Sequence, residues 1–195
     1  MRRALLALSA TFVPTLAFAH TGVGETGGFL HGFAHPIGGT DHVLAMVAVG
    51  ALAAVVGGRA LWLVPLAFLG MMVVGFGLGA GQVELPAVEL LIALSSVVIG
   101  AAAAFGRSMP LGLAAGLAGG FALFHGHAHG AEMPLGESGV LYASGFVAAT
   151  ALLHGLGLAG TLGLAQLAGR HGALAGRVTG AAFAVGGLGV LAGWL

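Results

Sequence analysis

His35-Pro36-Ile37-Gly38-Gly39-Thr40-Asp41-His42 stands inside an otherwise apolar run that extends from about residue 27 to 57. Pro36 disfavours α conformation at His35, and Gly38-Gly39 weakens helix further. Thr40 is placed to cap a new helix that starts near Asp41. The reading is a broken helix: a short half around 28–35, an interruption, and a second half from 41 to about 57. Within a bilayer, backbone freed in this way is tolerated where it lines a cavity, and broken helices carrying polar side chains recur at transporter binding sites. His31 and His35 are spaced i,i+4 and share a face if the first half is helical. Asp41 supplies an anionic oxygen. His42 points about 100° away from it on a helix, so the two are expected to serve different shells of a site. The competing reading is an interfacial loop with a capping Asp41.

Composition places this stretch in a membrane. The 195-residue chain is 58% hydrophobic and only 6% charged, against about 25% charged in soluble domains, so its outer surface cannot face water. Mean hydropathy is +1.07. Glycine, at 38 residues, is far above ordinary use and has no collagen period; in membranes small residues let helices approach closely. Zero formal net charge gives no reason to expect a nucleic-acid partner. The absence of Cys removes disulfides, thiolate metal sites and thiol catalysis.

Residues 1–19 read as a signal peptide, with Arg2 and Arg3 as the charged region, an apolar stretch, and Ala17-Phe18-Ala19 as the cleavage site. Cleavage there leaves His20 as the first residue, whose amine and imidazole together form a candidate metal ligand. Residues 20–195 then form a single transmembrane domain. Six apolar segments follow, roughly 27–57, 61–80, 84–105, 109–126, 138–166 and 176–195, each near or above the length that spans a bilayer. The predicted fold is all-α, a six-helix polytopic bundle whose first helix is broken near 35–41. Arg59, Arg107, Arg170 and Arg177 fall in alternate connections, while Glu25, Glu84, Glu132 and Glu137 fall in the others. The positive-inside rule then places both mature termini on the outer, periplasmic side of the bacterial inner membrane. Glycines four apart (Gly75 and Gly79; Gly112, Gly116 and Gly120; Gly176 and Gly180) predict packing grooves, and such faces permit a homo-oligomer.

A second polar strip, Phe124-His125-Gly126-His127-Ala128-His129-Gly130-Ala131-Glu132, ends the fourth segment. His125 and His129 converge on one metal if the helix continues, with His127 on another face. In a loop, alternate residues would turn inward instead. The competing reading is a His-rich vestibule that only attracts cations. Glu89, within the third segment, should face a ligand, a proton or another polar group, because an unpaired buried carboxylate is expensive; the competing reading is an interfacial residue near the outer end, like Glu84. His154, deeper in its segment, suits a helix-to-helix hydrogen bond as well as it suits a ligand. His171 reads as ordinary surface.

The two strips resemble the signature motifs of the HupE/UreJ family: His35-x5-Asp41-His42, and Phe124-His125-Gly126-x-Ala128-His129-Gly130-x-Glu132. The resemblance covers the whole chain. It implies a small bacterial membrane protein that takes up nickel or cobalt for hydrogenase or urease maturation. It also implies metal-handling roles for His35, Asp41, His42, His125, His129 and Glu132, and more loosely for Glu89 and Phe68. His127 occupies the family's variable position.

Nitrogen and oxygen donors without thiolate suit Ni²⁺, Co²⁺ or Zn²⁺ better than Cu⁺. The expected function is a permease with the dication as cargo and no prosthetic group. The outer strip captures the ion, and partial dehydration follows at His35, Asp41 and His42. The bilayer and a cytoplasmic metallochaperone are the other expected partners. Neutral imidazole is the ligand form, so binding should weaken as pH falls through about 6.5. No P-loop occurs, so the chain does not hydrolyse ATP through one, and no H-E-x-x-H metalloprotease motif occurs. An enzyme is not expected. Two alternatives stay open: a b-type haem protein with His42 and His154 as facing ligands, and a non-transporting metal sensor or store.

Overall fold

The computed structural model describes residues 26–105 and 109–194. The signal-peptide reading, His20, Glu25 and Arg107 lie outside the described residues. The described residues are all-helical: α1 (Thr26–Gly38), α2 (Thr40–Val56), α3 (Ala60–Ala80), α4 (Val88–Phe105), α5 (Leu111–Ala131), α6 (Gly139–Leu167) and α7 (Gly172–Leu191), with a 3₁₀ turn at Gly169–His171 before α7.

The first apolar run is broken as expected. α1 and α2 meet at an angle of 86°. The break falls at Gly39, whereas Pro36 stays inside the last turn of α1. Glycine pairs alone do not break α5 (Gly119-Gly120) or α7 (Gly186-Gly187), so the break comes where the pair closely follows the backbone bond that Pro36 removes. Thr40 does not cap α2. Gly39 is the N-cap, no side chain caps, and Asp41 Oδ1 accepts from the His42 backbone N–H instead (2.9 Å).

α3, α4, α6 and α7 are each long and apolar enough to cross a membrane, and the bent pair α1–α2 makes up to five such spans. α5 has 21 residues but is less apolar, because three histidines occupy its last two turns. The His-rich strip is therefore helical through Ala131, which decides between helix and loop. The 167–177 connection is mostly helix, and Arg177 belongs to α7, where its Nε donates to the Ala104 carbonyl at the end of α4 (2.8 Å).

Glycine decides which helices touch. α3 and α5 run side by side in the same direction: a methyl group on Gly75 or Gly79 would meet the carbonyls of Leu123 and His127, and one on Gly126 or Gly130 would meet those of Met72 and Phe76. Reciprocal contact of this kind presses backbone on backbone and fixes α5 rigidly against α3. Similar close approaches join α1 to α6 (Gly32 on Tyr142, Gly145 on Phe29), α2 to α6 (Gly50 on His154, Gly157 on Val47) and α4 to α7 (Gly100 and Gly180). The expected groove at Gly112, Gly116 and Gly120 is not used within the chain, since nothing lies within 4 Å of a methyl group placed there. Spacing alone did not separate that row from Gly119, Gly126 and Gly130, which do pack. The core is built on α2, which buries Met46, Val49 and Leu52 among the other helices.

Candidate metal centre

The bend at Gly39 opens a cavity of about 480 Å³ lined by His31, Ala34, His35, Gly38, Gly39, Asp41 and His42. Beneath it stands the second strip. His125 and His129, one turn apart on α5, are fully buried. The His42 ring lies between them, its centroid 4.9 Å from each. The His35 ring lies 4.9 Å from His129 on the other side. Four imidazoles from two distant stretches of sequence thus form a file that leads from the cavity into the bundle.

Hydrogen bonds select the nitrogens that face this file. Asp41 Oδ1 lies 3.0 Å from His42 Nδ1. The carboxylate accepts from Nδ1–H, leaving the lone pair on Nε2, which is buried and has no partner. A carboxylate behind an imidazole is the common second-shell arrangement at metal sites, fixing the tautomer and raising basicity. The two side chains thus take different roles, but they do not point apart as the helical spacing predicted. At a helix N-terminus the aspartate side chain folds over the first turn and meets its neighbour's ring.

The His125 tautomer is fixed by a serine. Ser95 Oγ donates to the Ile92 carbonyl (2.5 Å) and lies 3.0 Å from His125 Nε2. With the hydroxyl proton committed, Nε2–H of His125 donates to Ser95, and the lone pair sits on Nδ1, which is buried without a partner. Both nitrogens of His129 are buried and unpartnered, and its ring stacks on Phe146 at 5.0 Å.

The remaining candidates sit at the margins. His35 Nε2 lies 3.2 Å from Glu132 Oε2, which is exposed at the C-cap of α5. His31 Nδ1 lies 2.7 Å from Glu137 Oε1. His127 Nε2 donates to the Val83 carbonyl at 2.6 Å, on the side of α5 away from the file. Glu89 lies in the first turn of α4 on the outside of the bundle and does not face the file. Phe68 is fully buried and stands between His125 (5.7 Å) and His154 (5.0 Å). His154 makes no helix-to-helix hydrogen bond, and neither ring nitrogen has a partner.

Among the described residues, no three His, Asp or Glu side chains come close enough together to hold one metal ion. The donors are arranged in series rather than around a point. Sequence reasoning missed Ser95 and Glu137. Ser95-Ser96 inside an apolar segment was the available signal for the first. The second differed from other outer acidic residues only through its position beside α1.

No solved structure matches the chain. It is 44% identical over 187 residues to Protein HupE of Rhizobium leguminosarum bv. viciae, a match that covers 95% of each protein. The family profile described as HupE / UreJ protein matches residues 6–190. With profile and relative both spanning nearly its whole length, the chain belongs to the HupE / UreJ family.

Proposed function

We propose that this protein is a permease that carries Ni²⁺, or Co²⁺, inward across the bacterial inner membrane. The family is associated with nickel and cobalt transport for hydrogenase and urease. The observation that carries the finer reading is the file His35–His129–His42–His125. Successive rings lie 4.9 Å apart beneath an open cavity, and His129, His42 and His125 each keep an unpartnered ring nitrogen. Conduction requires sites weak enough to release, and a series of incomplete donor pairs supplies this better than one closed cage. Asp41 acts behind His42 and also gives the cavity its negative charge. Glu132 and Glu137 at the rim attract the dication and hold His35 and His31.

In this reading residues 1–19 are a cleaved signal, and residues 20–195 form one domain. α1–α2 and the five later helices cross six times with both mature termini outside. The arginine-bearing turns at 57–59 and 168–171 then face the cytoplasm, where a metallochaperone takes the ion. A closed storage site gains no support, because the donors do not converge. A haem held by His42 and His154 gains none either, because His125 and Phe68 lie between those rings.

The test is metal uptake in cells that hold wild type and Asp41→Asn at equal membrane levels. Loss of the carboxylate frees the His42 ring and should lower nickel accumulation by about 10–100-fold. Undiminished accumulation removes Asp41 from the pathway. Proteoliposome flux of Ni²⁺, Co²⁺, Zn²⁺ and Mn²⁺ then fixes selectivity, and no flux of any of them by wild type ends the permease reading.

A further inference from the structure

We propose that His154 is an inner binding station for the divalent cation, separated by Phe68 from the file at the mouth. The proposal rests on the permease reading and extends it past the two sequence strips. His154 is 3% exposed and both its ring nitrogens lack a partner. Leaving a buried polar group unsatisfied is costly. A leucine of similar volume would avoid that cost, so the imidazole at this place calls for a ligand.

Position supplies the ligand's identity. The Phe68 ring contacts His154 edge-on at 5.0 Å and His125 at 5.7 Å, so His154 continues the line of imidazoles by one aromatic step. Its backbone is pressed against Gly50 of α2, roughly two turns below His42. Beyond it the same face of α6 carries Thr161, seven residues on, whose hydroxyl is also buried and unpartnered. Thr161 lines a second cavity, of about 120 Å³, at the opposite end of the bundle, formed with α2 and the start of α7. Polar groups without protein partners therefore run from the outer cavity to the inner one, and His154 is the nitrogen donor at the middle of that line. A lone imidazole holds a dication weakly, which suits a station that must hand it on.

The experiment uses the full-length protein in proteoliposomes with Ni²⁺ as the probe, comparing wild type, Asp41→Asn, His154→Leu and His154→Cys. His154→Leu keeps the volume and removes the donor. It is expected to lower the maximal rate by about tenfold or more while leaving the half-saturating Ni²⁺ concentration within about twofold, since capture occurs outside Phe68. A filler role for His154 would be preserved by leucine. The chain has no cysteine, so the thiol introduced by His154→Cys is the sole target for a small methanethiosulfonate. Its modification is expected to slow when Ni²⁺ is present. A wild-type rate for His154→Leu, or a thiol whose modification Ni²⁺ does not change, overturns the station even if Asp41→Asn is inactive and the permease reading stands. If His154→Leu does not fold, the thiol result decides alone. If wild type moves no divalent metal, the permease reading fails and the station with it.

Discussion

Between His35 and His42 the backbone turns through 86° at Gly39, whereas between His125 and Glu132 it runs on as unbroken α-helix to Ala131. The two strips carry the same side-chain chemistry and stand against one another, yet one is open to a cavity and the other is sealed. In the first strip glycine breaks the helix. In the second, Gly126 and Gly130 lie within the helix, and their missing side chains admit the carbonyls of α3. The same residue type therefore gives access at one strip and rigidity at the other. A pathway needs both: a mouth that an ion with its water can reach, and donors fixed well enough to replace that water.

The largest effect is expected at His42, whose ring touches both strips. His42→Ala removes contact with both His125 and His129 and is expected to reduce nickel accumulation to the level of cells without the protein. Uptake near wild type would mean that the strips act independently. Acidification comes next. Metal binds the neutral imidazole, so protons compete as pH falls. Proteoliposome uptake with the outer side brought from about pH 7.5 to about 5.5 should fall by about tenfold or more. A flat profile would show that protons do not compete with the cargo for the pathway's imidazoles over this range.

Smaller effects sharpen the picture of the sealed strip. Ser95→Ala releases the His125 tautomer without touching the file itself, and nickel affinity measured by calorimetry should drop by about tenfold. An unchanged affinity would show that α5 packing alone orients the ring. His127→Asn is expected to leave uptake close to wild type, because the His127 ring faces the Val83 carbonyl rather than the file. A large loss there would place His127 among the metal-handling residues after all.

Much of this was legible in the sequence. Too few charges for a wetted surface dictate a membrane bundle, and Pro36 followed by Gly38-Gly39 marks the break in the first apolar run. The i,i+4 spacing of His125 and His129 dictates a common face once the strip is helical. These features are local, since each depends on composition or on residues a few positions apart. Other features join residues distant in sequence and followed only from the tertiary structure. Gly126 and Gly130 pack where Gly112, Gly116 and Gly120 do not. Glu89 is exposed. Ser95 sets the tautomer of His125 across 30 positions, and Phe68 bridges His125 and His154. Periodicity assigns a side chain to a face of its helix, but which neighbour that face meets is fixed by close packing of backbones, and that packing is a property of the whole bundle.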